Sequence, residues 1–149
     1  MKLLFRALMG ETDWGWVMKQ VPILQNEDTT GIVAVDTDTD ELVGACIMDN
    51  FTASSVQCHF MITSPMVLKH DFLEEIFNCL FNTCDKRVIY GLVPADNTKA
   101  LQLNAHMGFT EKCRLEGAWK PDVDYVLMEM KKADCKYLPN IELKEASNG

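Results

Sequence analysis

The sequence predicts one α/β domain: a mixed, mostly antiparallel sheet of about seven strands, flanked by helices. Three observations carry this reading. Short runs of β-branched and aromatic residues alternate with two stretches of helical periodicity. IVAVDTDTDELVGACIM has two apolar runs on either side of a polar turn, the pattern of an antiparallel hairpin. RVIYGLVPADNTKALQLNAHMGF, residues 87–109, runs strand, polar turn, helix and Gly-Phe, a crossover that brings the chain back to the sheet.

Taken in order, LFRAL (4–8) reads as the first strand, and Thr12 or Asp13 caps a short helix over 14–21. Pro22 interrupts before a polar stretch that ends near Thr30. The hairpin follows, its turn at Asp36 to Asp40. DTDTDE resembles a calcium loop only superficially: it has no Gly at the sixth position and no Glu at the twelfth, so a solvated turn is expected. After the turn at 50–55, residues 56–63 read as a strand. Leu68, Phe72, Leu73, Ile76, Leu80 and Phe81 make a wide apolar stripe, which predicts a helix over 68–81 with Asp71, Glu74 and Glu75 outside. The strand at 87–93 ends in Pro94-Ala95-Asp96-Asn97. Asp96 or Asn97 can cap the next helix, Ala100, Leu103 and Met107 share a stripe, Gly108 suits a left-handed stop, and Phe109 folds back on the last turn. Residues 111–115 and 123–130 close the order β, α, β, β, β, α, β, α, β, β. Residues 1–138 are expected to form the domain, and 139–149 a flexible C-terminal tail.

Composition narrows the function classes. A net charge of -8 argues against nucleic acid, whose phosphates call for clustered Lys and Arg, and tolerates a basic partner such as an amine. No targeting segment and no run of about 18 apolar residues is seen, so a cytoplasmic protein with no membrane partner is expected. The six cysteines form no CxxC pair and sit mostly in apolar patterns, which fits reduced thiols in a cytosol. The three histidines keep no zinc spacing with them, so no metal is expected.

With these elements in order, NTKALQLNAHMGF resembles the helix after the fifth strand in the GNAT-type N-acetyltransferases, in particular the small members encoded by tailed bacteriophages. That helix carries something like NxxAxxLYxxxGF, which Asn97, Ala100, Leu103, Gly108 and Phe109 match. FRAL with Asp13, the DTDTDELVG hairpin and GAWKPDVDYVLMEM are similar to the family's opening strand, second turn and closing hairpin. The likeness spans about residues 3–132.

The resemblance implies a sheet whose fourth and fifth strands splay apart. Acetyl-CoA would be the cosubstrate: its pantetheine adds to the exposed edge of the fourth strand, and its pyrophosphate sits on the next helix N-terminus. His59, Phe60, Met61, Ile62 and Thr63 would supply that edge. The usual Q/R-x-x-G-x-G/A loop is replaced by ITSPMVLKHDFLEEIF, which has no glycine, leaving Lys69 and His70 either to meet phosphate or to form a solvated first turn. Asn97 is a helix cap, a pantetheine contact or both. His59 is a strand residue satisfied by its neighbours or the base that deprotonates the amine. Asn104 stands in the slot of the family's Tyr, where an amide can hydrogen-bond a departing thiolate but cannot protonate it. Asp124 and Tyr125 face an acceptor or sit at a strand rim. At least one of Trp14 and Trp16 lies near the acceptor groove, or both pack in the core.

The implied activity is acetyl transfer from acetyl-CoA to a primary amine by direct attack. Only 11–30 are available to cover the acceptor side, which suits a protein or peptide amine. In a phage-encoded member the setting would be the host cytoplasm. The alternative is a catalytically silent protein of the same fold that binds a partner protein. The sequence does not fix the oligomeric state.

Overall fold

The computed structural model describes residues 2–69 and 71–138; His70 and the expected tail at 139–149 lie outside them. The chain runs β1 (Leu3–Ala7), α1 (Gly10–Gln20), β2 (Thr30–Asp36), β3 (Glu41–Asp49), β4 (Ser55–Ile62), α2 (Phe72–Asn78), β5 (Val88–Pro94), α3 (Thr98–Met107), β6 (Thr110–Lys120) and β7 (Val123–Lys131). Seven strands form one sheet in the order β1-β2-β3-β4-β5-β7-β6. All neighbours are antiparallel except β4 and β5.

That parallel pair is short. It holds only the rungs Ser55–Val88, Val56–Ile89 and Gln57–Tyr90. Beyond them β4 continues against β3 to Ile62, and β5 continues against β7 to Pro94. Each strand thus keeps its outer neighbour while the inner edges part, giving the splay that the resemblance implies. Gly91 stands at the fork: a Cβ there would lie 3.0 Å from the Cys58 carbonyl oxygen, so the strands meet this closely only because the side chain is a hydrogen.

Two cores lie on opposite faces of the sheet. Under α2 and α3, Phe72, Phe77, Phe81, Ile76, Leu80 and Met107 are all fully buried. Phe77 is the hub of this core, with ring centroids 6.0 Å from Phe60, 6.2 Å from Phe81, 6.3 Å from Phe109 and 5.2 Å from Tyr137. Burial and the nearby Glu74 push the Tyr137 phenol up to about 12, so it packs there as a neutral ring. Under α1, Val17, Ile23, Val33, Ala45, Ile47 and Met61 form the smaller core, and both Trp14 and Trp16 pack against it. Period-two alternation along β4 sends Met61 to this face and Phe60 to the other.

Three elements depart from expectation. Helix α1 begins at Gly10, and Asp13 acts from inside it, accepting from the Met9 N–H at 2.9 Å and binding the Arg6 guanidinium at 2.6 and 3.0 Å. The continuous helix expected over 68–81 is three pieces: a tight turn at Pro65–Lys69, a left-handed Asp71 (φ 62°), then α2, which widens over Cys79–Thr83 into an i→i+5 bond from the Cys84 N–H to the Cys79 carbonyl. Adjacent Leu80 and Phe81 are both fully buried there, which a wider turn accommodates. Strand β6 runs on to Lys120, past the expected 115, because a bulge carries the pairing through. At α3 the sequence reading holds: Asn97 Oδ1 accepts from the Ala100 N–H at 3.1 Å, Gly108 is left-handed (φ 108°), and buried Phe109 donates its N–H to the Asn104 carbonyl at 3.0 Å. The Asp36–Asp40 segment is a turn in which Asp36 Oδ1 accepts from the Asp38 N–H at 2.9 Å.

Two outcomes follow from this architecture. The Arg6 hydrogen bond holds the Asp13 carboxyl below the usual carboxylate range. Its stabilisation is complete above the unfolded-state pKa and fades as pH falls through the depressed folded value. Asp13→Asn should therefore lose stability at pH 7, and its deficit should shrink as pH drops below about 4 in urea titrations; a deficit that ignores pH would mean the charge is not what matters. Gly91→Val should destabilise by about 1–3 kcal/mol through overpacking at the fork, although valine is otherwise the better strand residue. Equal or higher urea midpoints would show that the fork has slack.

Candidate functional site

The parted strands open a cleft of about 430 Å³. Its floor is the fork itself, Cys58 to Phe60 on β4 and Gly91 to Pro94 on β5. Asn97, Ala100 and Asn104 of α3 form one wall; the segment from Gln20 to Asn26, with Trp119 and Tyr125 of the closing hairpin, forms the other.

Of the residues singled out in the sequence, His59, Phe60, Asn97, Asn104 and Tyr125 come together here. The others stand elsewhere. Met61 is buried beneath α1, and Ile62 packs on the opposite core. Thr63 lies just past β4, with its N–H and its hydroxyl both donated to the Val43 carbonyl at 3.0 Å, toward β3 and away from the open edge. Lys69 is exposed in the tight turn. His70 lies outside the described residues. Asp124 does not line the cleft: its Oδ1 accepts from the Gly117 N–H at 3.0 Å, a bond that shapes the hairpin.

The strongest chemical feature is a pair that spans two strands. His59 Nε2 lies 3.1 Å from Asp49 Oδ2 and 3.3 Å from Oδ1. Asp49 ends β3, where its side chain keeps 10% of its surface against 20% for that of His59, so the pair is largely shielded yet reachable. A carboxylate only accepts, so Nε2 is the nitrogen that donates to it, and in the neutral ring Nδ1 then carries the lone pair. The turn behind the pair is fixed by Asn50, left-handed at φ 51°, whose Nδ2 donates to Gln57 Oε1 at 2.6 Å.

Two phenols share this environment. Burial first, then the negative charge of Asp49, raises both the Tyr90 and the Tyr125 hydroxyl above the ordinary tyrosine value. Tyr125 is therefore a proton donor in the cleft across the neutral range. Its ring centroid is 5.4 Å from that of Trp119. On the α3 wall buried Asn104 donates one Nδ2 hydrogen to the Ala100 carbonyl at 2.8 Å, which leaves its second N–H.

Sequence reasoning missed Asp49, Asn50 and Trp119. Asp49 had one visible signal, an acid closing the apolar run GACIMD, which a buried partner explains better than a turn does. The cation side of the site is thin. The first turn of α2 bears Glu74 and Glu75 with Asp71 before it, and Lys69 is the one cation among the described residues of the 65–78 stretch. Those residues also hold no group of three or more His, Cys, Asp or Glu suited to a metal ion, and no helix long and apolar enough to cross a membrane.

No protein-family model and no curated protein sequence matches the chain. Solved structures do. Mutant forms of the spermidine/spermine N-acetyltransferase SpeG from Vibrio cholerae superpose with a TM-score of 0.72 at 16% identity, covering 93% of this chain and 99% of the other. The spermidine N-acetyltransferase from Vibrio cholerae in complex with CoA and spermine gives 0.67 at 17%, covering 91% and 98%. A dodecameric structure of that enzyme in an intermediate state gives 0.68 at 18%, covering 93% and 97%. With its seven strands and parted β4–β5 pair, the chain has the fold of these GNAT acetyltransferases.

Proposed function

We propose that the protein is an N-acetyltransferase that moves the acetyl group of acetyl-CoA to a primary amine by direct attack. The observation that carries this reading is the His59–Asp49 pair at the mouth of the β4–β5 fork. It places a proton acceptor beside an edge able to receive an extended pantetheine. The likeness to acetyltransferase structures, one of them bound to CoA and spermine, supports it.

Acetyl-CoA would supply an acyl group activated as a thioester. The open edge of β4 about Cys58 to Phe60, with Met61 and Ile62 beyond, would hold its pantetheine, Asn97 contacting it from the α3 cap; Lys69 and His70 would meet the phosphates as charged side chains. His59 takes the amine proton at Nδ1, while Asp49 orients the ring and stabilises the imidazolium that results. Tyr125, kept protonated, and the second N–H of Asn104 offer hydrogen bonds to the departing thiolate. Asp124 acts through the hairpin it shapes. Much of the rate would come from holding amine and thioester together. A protein or peptide amine is among the acceptors that the short cover between β1 and β2 admits, and the resemblance to phage-encoded members would place the reaction in a host cytoplasm.

One observation favours a second reading. The acidic first turn of α2 and its lack of glycines are poor provision for a pyrophosphate, as in a silent fold that binds a partner protein.

Calorimetric scans separate the two. A ligand that binds only the folded state at a hundredfold excess over Kd stabilises it by about 2.7 kcal/mol, so saturating acetyl-CoA should raise the midpoint by at least about 5 °C. A shift under about 1 °C at millimolar ligand would exclude the enzyme. His59→Gln and Asp49→Asn should each lower kcat by about 10²–10⁴-fold while leaving the acetyl-CoA shift intact. Full turnover in both variants would remove the pair from the mechanism.

A further inference from the structure

The acceptor wall of the cleft has a composition that the transfer reaction alone does not require. Among the described residues lining the cleft, Asp49 is the one carboxylate, and His59 already engages it. A polyamine, with two or more ammonium groups spaced along a chain, would find no second anion there. The other polar groups of the lining are neutral amides and a phenol, and the outer wall is largely apolar. On the wall away from α3, Val21, Pro22, Ile23 and Leu24 line the cleft together with Trp119 and Tyr125. Leu24 is 90% exposed and Trp119 41%, so the mouth of the cleft presents large apolar groups that the fold itself does not cover.

Trp119 is held there by construction. Between the rungs Leu115–Tyr125 and Lys120–Val123, β6 has Glu116 to Trp119 where β7 has Asp124 alone. The surplus is folded by Gly117, left-handed at φ 60°, whose N–H is fixed by Asp124 Oδ1. This bulge sets the indole beside Tyr125 and over the cleft.

Resting on the acetyltransferase reading, we infer that the acceptor is a primary monoamine on an apolar body, an arylalkylamine or the N-terminus of a peptide that begins with a large apolar residue. The ring or branched chain lies against the apolar wall of Val21–Leu24 and Trp119, and the amine reaches the His59–Asp49 pair. Asp124 is then a positioning residue that acts through the bulge.

The test compares acceptors by the mass of the acetylated product, using the full chain and saturating acetyl-CoA with tryptamine, a tetrapeptide beginning with Phe, and spermidine. Tryptamine or the peptide should exceed spermidine in kcat/KM by at least about tenfold, the better of the two identifying the source of the amine. Trp119→Ala should lower kcat/KM for the apolar amine by about tenfold, mainly through KM. Leu24→Glu, at a position too exposed to threaten folding, should narrow the ratio to spermidine from both sides. Spermidine equal to or better than the apolar amines, or variants that change every acceptor alike, would overturn the inference. If acetyl-CoA raises the midpoint and no apolar amine is acetylated, the inference falls and the enzyme reading stands; if acetyl-CoA gives no shift, both fall.

Discussion

Everything in this molecule depends on a parallel strand pair that is not allowed to continue. A strand in mid-sheet ordinarily satisfies its backbone on both sides. Here β4 and β5 share three rungs and then rely on β3 and β7 alone. The break leaves backbone groups facing open space inside a folded core, which is stable only if water or a ligand reaches them. Gly91 allows the last close approach, and beyond it the strands diverge around the cleft.

What holds the fork open is packing from the α2 and α3 side. Phe60 projects from β4 between Phe77 and Phe109, with centroids 6.0 Å from each. Phe109 is placed by the left-handed Gly108 and Phe77 by α2, so two helices and a strand meet on one aromatic cluster. The opposite face is lighter: Val17 of α1 packs with Met61 and Ile47, and the irregular chain after α1 lines the acceptor side. One side of the sheet thus braces the cleft, while the other leaves it accessible.

The fold was legible in the sequence because its signals are local. The α3 cap, stripe and Gly-Phe stop lie within Asn97 to Phe109, and each was found where the residues promised it. The misread elements were those settled by tertiary packing. Nothing in ITSPMVLKHDF announces the left-handed Asp71 that splits the second helix, and the bulge that lengthens β6 exists only against β7. The candidate site followed the same division. His59, Phe60, Asn97, Asn104 and Tyr125 were reachable through the resemblance, whereas Asp49 and Trp119 become site residues only when β3 is laid beside β4 and the closing hairpin folds over the fork.

The bulge in β6 also bears on whether the edge of the sheet can take up another strand. β6 is one of the two edge strands, paired on one side only, and nearly its whole length is exposed. A straight strand of that length would be a template for another chain to add to, the usual route to runaway β-assembly. Two irregularities, at Glu111–Cys113 and between Leu115 and Lys120, break the row of backbone donors, and Lys112, Arg114 and Lys120 charge it. The loop that sets Trp119 over the cleft is therefore also a guard on the free edge. A lineage that trimmed the loop to reshape its acceptor wall would lose colloidal stability in the same step, which ties the evolution of specificity here to the avoidance of aggregation.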